Sequence, residues 1–155
     1  MKKLCFALAG LHAGMLGALA MLAWLALSSA FYRRSVWSVS NLFASTFYGE
    51  PALRLGFGVT TLSGSALLLL MYSLLGAVFG LAIGGRGSRM QVLLLGVLSA
   101  IAWYYFTFGF FWKHVNPLIM LYSPDRPMLL GHILYGGLLG RFRIYVAAVS
   151  AAFGE

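Results

Sequence analysis

LGFGVTTLSGSALLLLMYSLLGAVFGLAIGG, residues 55–85, contains no charged side chain. At about 1.5 Å of rise per residue, a helix of this length exceeds the roughly 30 Å hydrocarbon core of a bilayer. Within it Gly76, Gly80 and Gly84 recur at every fourth position, and Gly58, Thr61, Ser65 and Tyr72 extend the same face. The remainder is mostly leucine, valine and alanine. Such a segment suits lipid on most of its circumference and close backbone contact on one stripe. It predicts a membrane-spanning helix, long enough to tilt.

Working outward, the same composition recurs. Gly84 to Arg89 reads as a tight basic turn, and Met90 to Trp112 as another span with an aromatic end from Trp103 to Trp112. Trp and Tyr favour membrane interfaces because one end of each is apolar and the other polar. On the N-terminal side, Lys2 and Lys3 precede an uncharged run from Leu4 to Tyr32. That run is about twice the length of a secretory-signal core and reads as a retained first span. Val36 to Tyr48 is shorter. Val36, Val39, Phe43 and Phe47 recur at helical spacing with Ser38, Asn41 and Ser45 opposite, which predicts an amphipathic helix lying in the interface over 36–48. Gly49-Glu50-Pro51 ends it. After the irregular stretch Lys113–Pro127, with Asn116-Pro117 and Pro124-Asp125-Arg126-Pro127, a fourth span is predicted over 128–148. Its apolar part before Arg141 is short, so Arg141 and Arg143 are expected to snorkel to headgroups. The alternative is a helix that continues toward Phe153 with the arginines facing protein.

The fold class is therefore an all-α integral membrane protein: one domain over 1–155, with about four transmembrane helices (4–32, 55–85, 90–112, 128–148) and a short interfacial helix. Composition agrees. The 155 residues are 61% hydrophobic and 9% charged, against roughly 25% charged in soluble domains, and the mean hydropathy is +0.89. The net charge of +8 is carried by cations at the ends of apolar runs. That is a membrane-flanking pattern rather than a nucleic-acid footprint. Lys2, Lys3, Arg86, Arg89, Arg141 and Arg143 would lie on one side, and Arg33, Arg34, Arg54, Lys113 and Arg126 on the other. This small asymmetry puts the N-terminus in the cytoplasm, in a bacterial inner membrane. The single cysteine, Cys5, excludes an intrachain disulfide.

Gly10 and Gly14 on the first span, Gly76 and Gly80 on the second, and Gly136 and Gly140 on the fourth are the expected helix-packing seams. Gly96, Ser99 and Ala100 form the stripe of the third. In lipid, apolar burial gives little drive for association, so close glycine contacts and hydrogen bonds from residues such as Tyr72 and Tyr135 must supply it. Packing within one bundle is the simplest use of these seams; a dimer interface or a ligand groove is the alternative.

Three histidines are the candidate cofactor ligands. His12 faces away from the Gly10/Gly14 seam and could meet a chlorin, a quinone or a neighbouring subunit. His114 and His132 are expected on the same outer side, near Asp125 and Glu50, but without the tight spacing of a metal motif. The loops assemble an outer contact surface from Asn41, Glu50, Arg54, Lys113, His114, Asn116, Tyr122, Asp125 and Arg126, together with His132. Asp125 and Arg126 read as a local ion pair of little energetic value. No phosphate loop, catalytic triad or paired intramembrane carboxylate is present, so no catalytic residue is assigned. The reading favoured by the sequence is a non-catalytic subunit or assembly factor of a larger membrane complex, with lipid and other membrane subunits or a second copy as partners. Two alternatives are a binder of haem, quinone or pigment, and a small carrier or channel.

Overall fold

A computed structural model describes residues 2–152. Every element among them is helical: α1 (Lys2–Phe31), α2 (Ser38–Tyr48), a 3-10 turn (Glu50–Arg54), α3 (Val59–Ile83), α4 (Arg89–Phe106), α5 (Trp112–Val115), α6 (Pro117–Tyr122), α7 (Asp125–Leu139) and α8 (Phe142–Ala152). A π-helical turn, Thr107–Phe111, joins α4 to α5, so that residues 89–115 run as one long helix. Three helices are long and apolar enough to cross a membrane. The count rises to four if α7 and α8, bent by 43° at their junction, form one span.

Local chemistry fixes the ends. Ser88 and Gln91 cap α4 reciprocally, each side chain accepting from the other's backbone N–H at 3.3 and 2.7 Å. Asn116 is extended before Pro117, as the proline ring requires, and its Oδ1 accepts from Leu118 N to start α6. α1 stops in a Schellman turn. Arg34 N donates to Ser29 O and Arg33 N to Ala30 O, with Arg33 at φ +54°, where glycine is the usual occupant.

α1 is the central helix, with α3, α7 and α8 against it and α4 packed chiefly on α7. The glycine seams close on one another within the chain. Gly10 and Gly14 meet Gly76, Gly80 and Tyr72 backbone, and Gly136 and Gly140 meet Gly96 and Leu93. Gly64 makes a further contact of this kind, with Ser40 O and Ala44 on α2. The outward faces of α3 and α4 carry Leu62, Leu70, Leu74, Val78, Leu94 and Leu98, all exposed. An apolar exterior of this extent is what a lipid solvent demands.

Two expectations change. α2 does not present a polar face outward: Ser40, Asn41 and Ser45 are buried, whereas Val36 and Phe47 are exposed. The polar groups turn inward because each finds a protein partner there, Ser40 on Ser65 and Asn41 on Thr61. The fourth apolar segment, expected over 128–148, starts three residues earlier. It begins at Asp125 and bends at Gly140-Arg141, with Arg141 exposed. Arg143 Nη2 donates to Gly85 O and Arg86 O of the α3–α4 turn at 2.9 Å each. Replacing it, Arg143→Met, is expected to leave the bundle folded but release α8. Hydrogen exchange across Phe142–Ala152 should rise several-fold while α1 and α3 are unchanged; equal protection in both proteins would refute the tether.

Candidate functional site

The polar groups of the fold form two assemblies, one closed and one open. The closed one lies where α3, α4 and α7 meet. His132 is fully buried, and its ring contacts Tyr72, Tyr104 and Phe108 edge to face. Its Nδ1 lies 2.8 Å from Met128 O and its Nε2 2.6 Å from Tyr72 Oη. A carbonyl can only accept, so Nδ1 carries the proton and the Nε2 lone pair accepts from the tyrosine hydroxyl. Tyr135, also fully buried, donates its hydroxyl to Tyr72 O at 2.7 Å and lays its ring against Gly17. Every polar atom of this triad is used inside the protein.

The sequence placed His132 on the outer side, near His114. It lies deeper, opposite Tyr72 at the middle of α3, and both its ring nitrogens are engaged, which leaves none for haem, pigment or metal. His114 and His12 are exposed, and no contact joins either of them to His132 among the described residues. His114 Nδ1 bonds Phe110 O on its own helix, and His12 stacks on Tyr145 of α8 at 4.8 Å. No group of three metal-ligating side chains is present among the described residues.

The open assembly is a cleft of about 670 Å³ at the end of the bundle where α1 terminates. Four separate segments line it: Ser28 to Arg34 from the end of α1, Ser38 to Leu42 from α2, Glu50 to Arg54 from the 3-10 turn, and Leu121 to Pro127 across the α6–α7 junction. Its floor is apolar, with Val39, Leu42 and Leu53. Its rim bears Arg34, Arg54 and Arg126 against Glu50 and Asp125. Arg54 and Glu50 pair at 3.1 Å, both well exposed, which contributes little stability. The pair expected between Asp125 and Arg126 is not formed. Ser123 Oγ, on the same wall, is buried and has no hydrogen-bond partner.

Of the outer surface expected from the sequence, Glu50, Arg54, Tyr122, Asp125 and Arg126 converge on this cleft. Asn41 and Asn116 do not; they are buried behind it. Asn41 Nδ2 donates to Leu55 O at 2.6 Å, and Asn41 Oδ1 accepts from Thr61 Oγ1 at 2.7 Å. Asn116 Nδ2 donates to Ser45 Oγ and Thr46 Oγ1. These amides fasten the loops that shape the cleft to α2, a role polarity alone did not reveal. Trp24 adds a tie from α1, its Nε1 donating to Pro127 O at 2.9 Å. Asn41→Leu should therefore cost about 1–3 kcal/mol, the penalty for stranding buried partners. It should also speed amide exchange of residues 55–58, and an unchanged melting temperature would refute the assignment.

No family model matches the chain, and comparisons with curated proteins and with solved structures find no match.

Proposed function

We propose that the protein is a non-catalytic integral membrane subunit or assembly factor that engages a partner membrane protein through the cleft at the α1 C-terminal end. The observation that carries this reading is the contrast between the two polar assemblies. The inner triad is satisfied within the chain and closed to ligands. The cleft is open, bears charges of both signs above an apolar floor, and leaves the Ser123 hydroxyl unpartnered. A mixed rim around an apolar centre is the usual composition of a protein interface. The bundle would sit in a bacterial inner membrane through α1, α3, α4 and the bent α7–α8 pair. The N-terminus would face the cytoplasm, with Lys2, Lys3, Arg86, Arg89, Arg141 and Arg143 on that side.

The test is site-specific photo-crosslinking in native membranes. A crosslinking residue at Tyr122, in the cleft, is expected to give one discrete heavier adduct, whereas one at Leu98, on the exposed face of α4, gives none. No adduct from Tyr122, with the protein extracted as a clean monomer, would overturn the reading.

A further inference from the structure

At the opposite end of the molecule from the cleft, α4 and α7 are drawn together by the Gly96–Gly136 and Gly140–Leu93 contacts and then leave a groove on their outer side. The groove has a volume of about 400 Å³. Leu93 and Leu134 form its walls, Gly137 and Gly140 its floor, and Arg89 and Arg141 stand at its mouth. A side chain added at Gly137 would meet nothing within 4 Å, so the floor is free space. Both arginines are exposed, and their guanidinium groups make no ion pair or hydrogen bond among the described residues.

We propose that this groove binds one anionic phospholipid, with an acyl chain along Gly137 and the phosphate between Arg89 and Arg141. Charge identifies the occupant. Among the described residues the carboxylates are Glu50 and Asp125, and both lie at the cleft on the far end. The cations of this end therefore have no acidic partner among those residues. Arg89 opens α4 and Arg141 sits in the α7–α8 bend, so both occupy helix ends, where headgroups lie if the bundle spans a bilayer. A basic pocket between two apolar helices at headgroup level selects negative lipid over zwitterionic lipid. The inference thus rests on the membrane reading above.

The experiment reconstitutes the full chain into vesicles of equal parts phosphatidylcholine and phosphatidylglycerol. The protein is then extracted in mild detergent, and the retained lipid is measured by native mass spectrometry. The wild type is expected to retain phosphatidylglycerol about thirtyfold over phosphatidylcholine, the order expected for two arginines at the headgroup. Added inorganic phosphate should not displace it. Arg89→Gln with Arg141→Gln should abolish the preference, and so should Gly137→Leu, which fills the floor without touching a charge. Arg34→Gln with Lys113→Gln, cations of the other end, should leave it intact. Equal retention of the two lipids by the wild type, undiminished preference in the Arg89/Arg141 variant, or equal loss in the control pair would overturn the proposal. Failure to enter pure phosphatidylcholine vesicles at all would instead refute the membrane reading.

Discussion

Gly76→Leu is expected to abolish the folded protein. A Cβ built at Gly76 collides with the Gly10 carbonyl and sits 2.7 Å from Gly14 Cα, both of them backbone of the facing helix. Overpacking against a movable side chain costs about 1–3 kcal/mol. Here nothing can rotate away, so α1 and α3 must separate along the seam that also carries Gly10, Gly14 and Gly80. The loss should exceed that range and consume most of a marginal stability of about 5–15 kcal/mol. Size-exclusion chromatography in detergent reads the result as disappearance of the monodisperse peak. Gly109→Leu is the matched control. That position lies in the π-helical turn with nothing within 4 Å of its Cβ, and its melting temperature should stay close to the wild type. A stable Gly76→Leu protein would mean the α1–α3 contact is not glycine on glycine.

The second large effect belongs to the Tyr72–His132 pair and is best measured as a cycle. Tyr72→Phe strands the His132 Nε2 lone pair, and His132→Phe strands the Tyr72 hydroxyl. Each is buried and has the other as its side-chain partner, so each should cost about 1–3 kcal/mol. The double variant removes both polar groups and should cost less than the sum of the two. Hydrogen bonds between membrane helices couple by about 0.6 kcal/mol on average and reach about 1.7. The short 2.6 Å contact and the aromatic enclosure by Tyr104 and Phe108 place this pair at the upper end. Reversible unfolding in mixed micelles gives the four free energies. A coupling indistinguishable from zero would show that the two side chains are neighbours without a bond.

The length and position of the long helices were legible because an uncharged apolar run of such length has few alternatives to an internally hydrogen-bonded helix. The seams were legible too, since glycine at every fourth position has few other uses on such a helix. Their pairing was not. Nothing in Gly10-x-x-x-Gly14 names Gly76-x-x-x-Gly80 as its complement, because any such stripe fits any other. α2 was misread for a related reason. Treating Asn41 and Ser45 as a wet face assumes that water is the only partner for a polar side chain. In this fold Thr61, the Leu55 carbonyl and Asn116 serve instead. Gly64 was the overlooked signal: a small residue flanked by Ser63 and Ser65 marks the place where α2 could approach. The depth of His132 was missed because α7 begins at Asp125 and not at Met128. The extra turn moves the histidine inward to the level of Tyr72.

The central position of α1 has a temporal consequence. Its neighbour α7 emerges from the ribosome more than a hundred residues after Gly17 and Met21, the positions it covers. Until then α1 can pack on α2 and zip to α3, with the Gly17 notch awaiting the Tyr135 ring. Biogenesis should therefore pass through an early hairpin of the first helices, and the nascent chain would be most vulnerable to quality-control proteases until α7 docks.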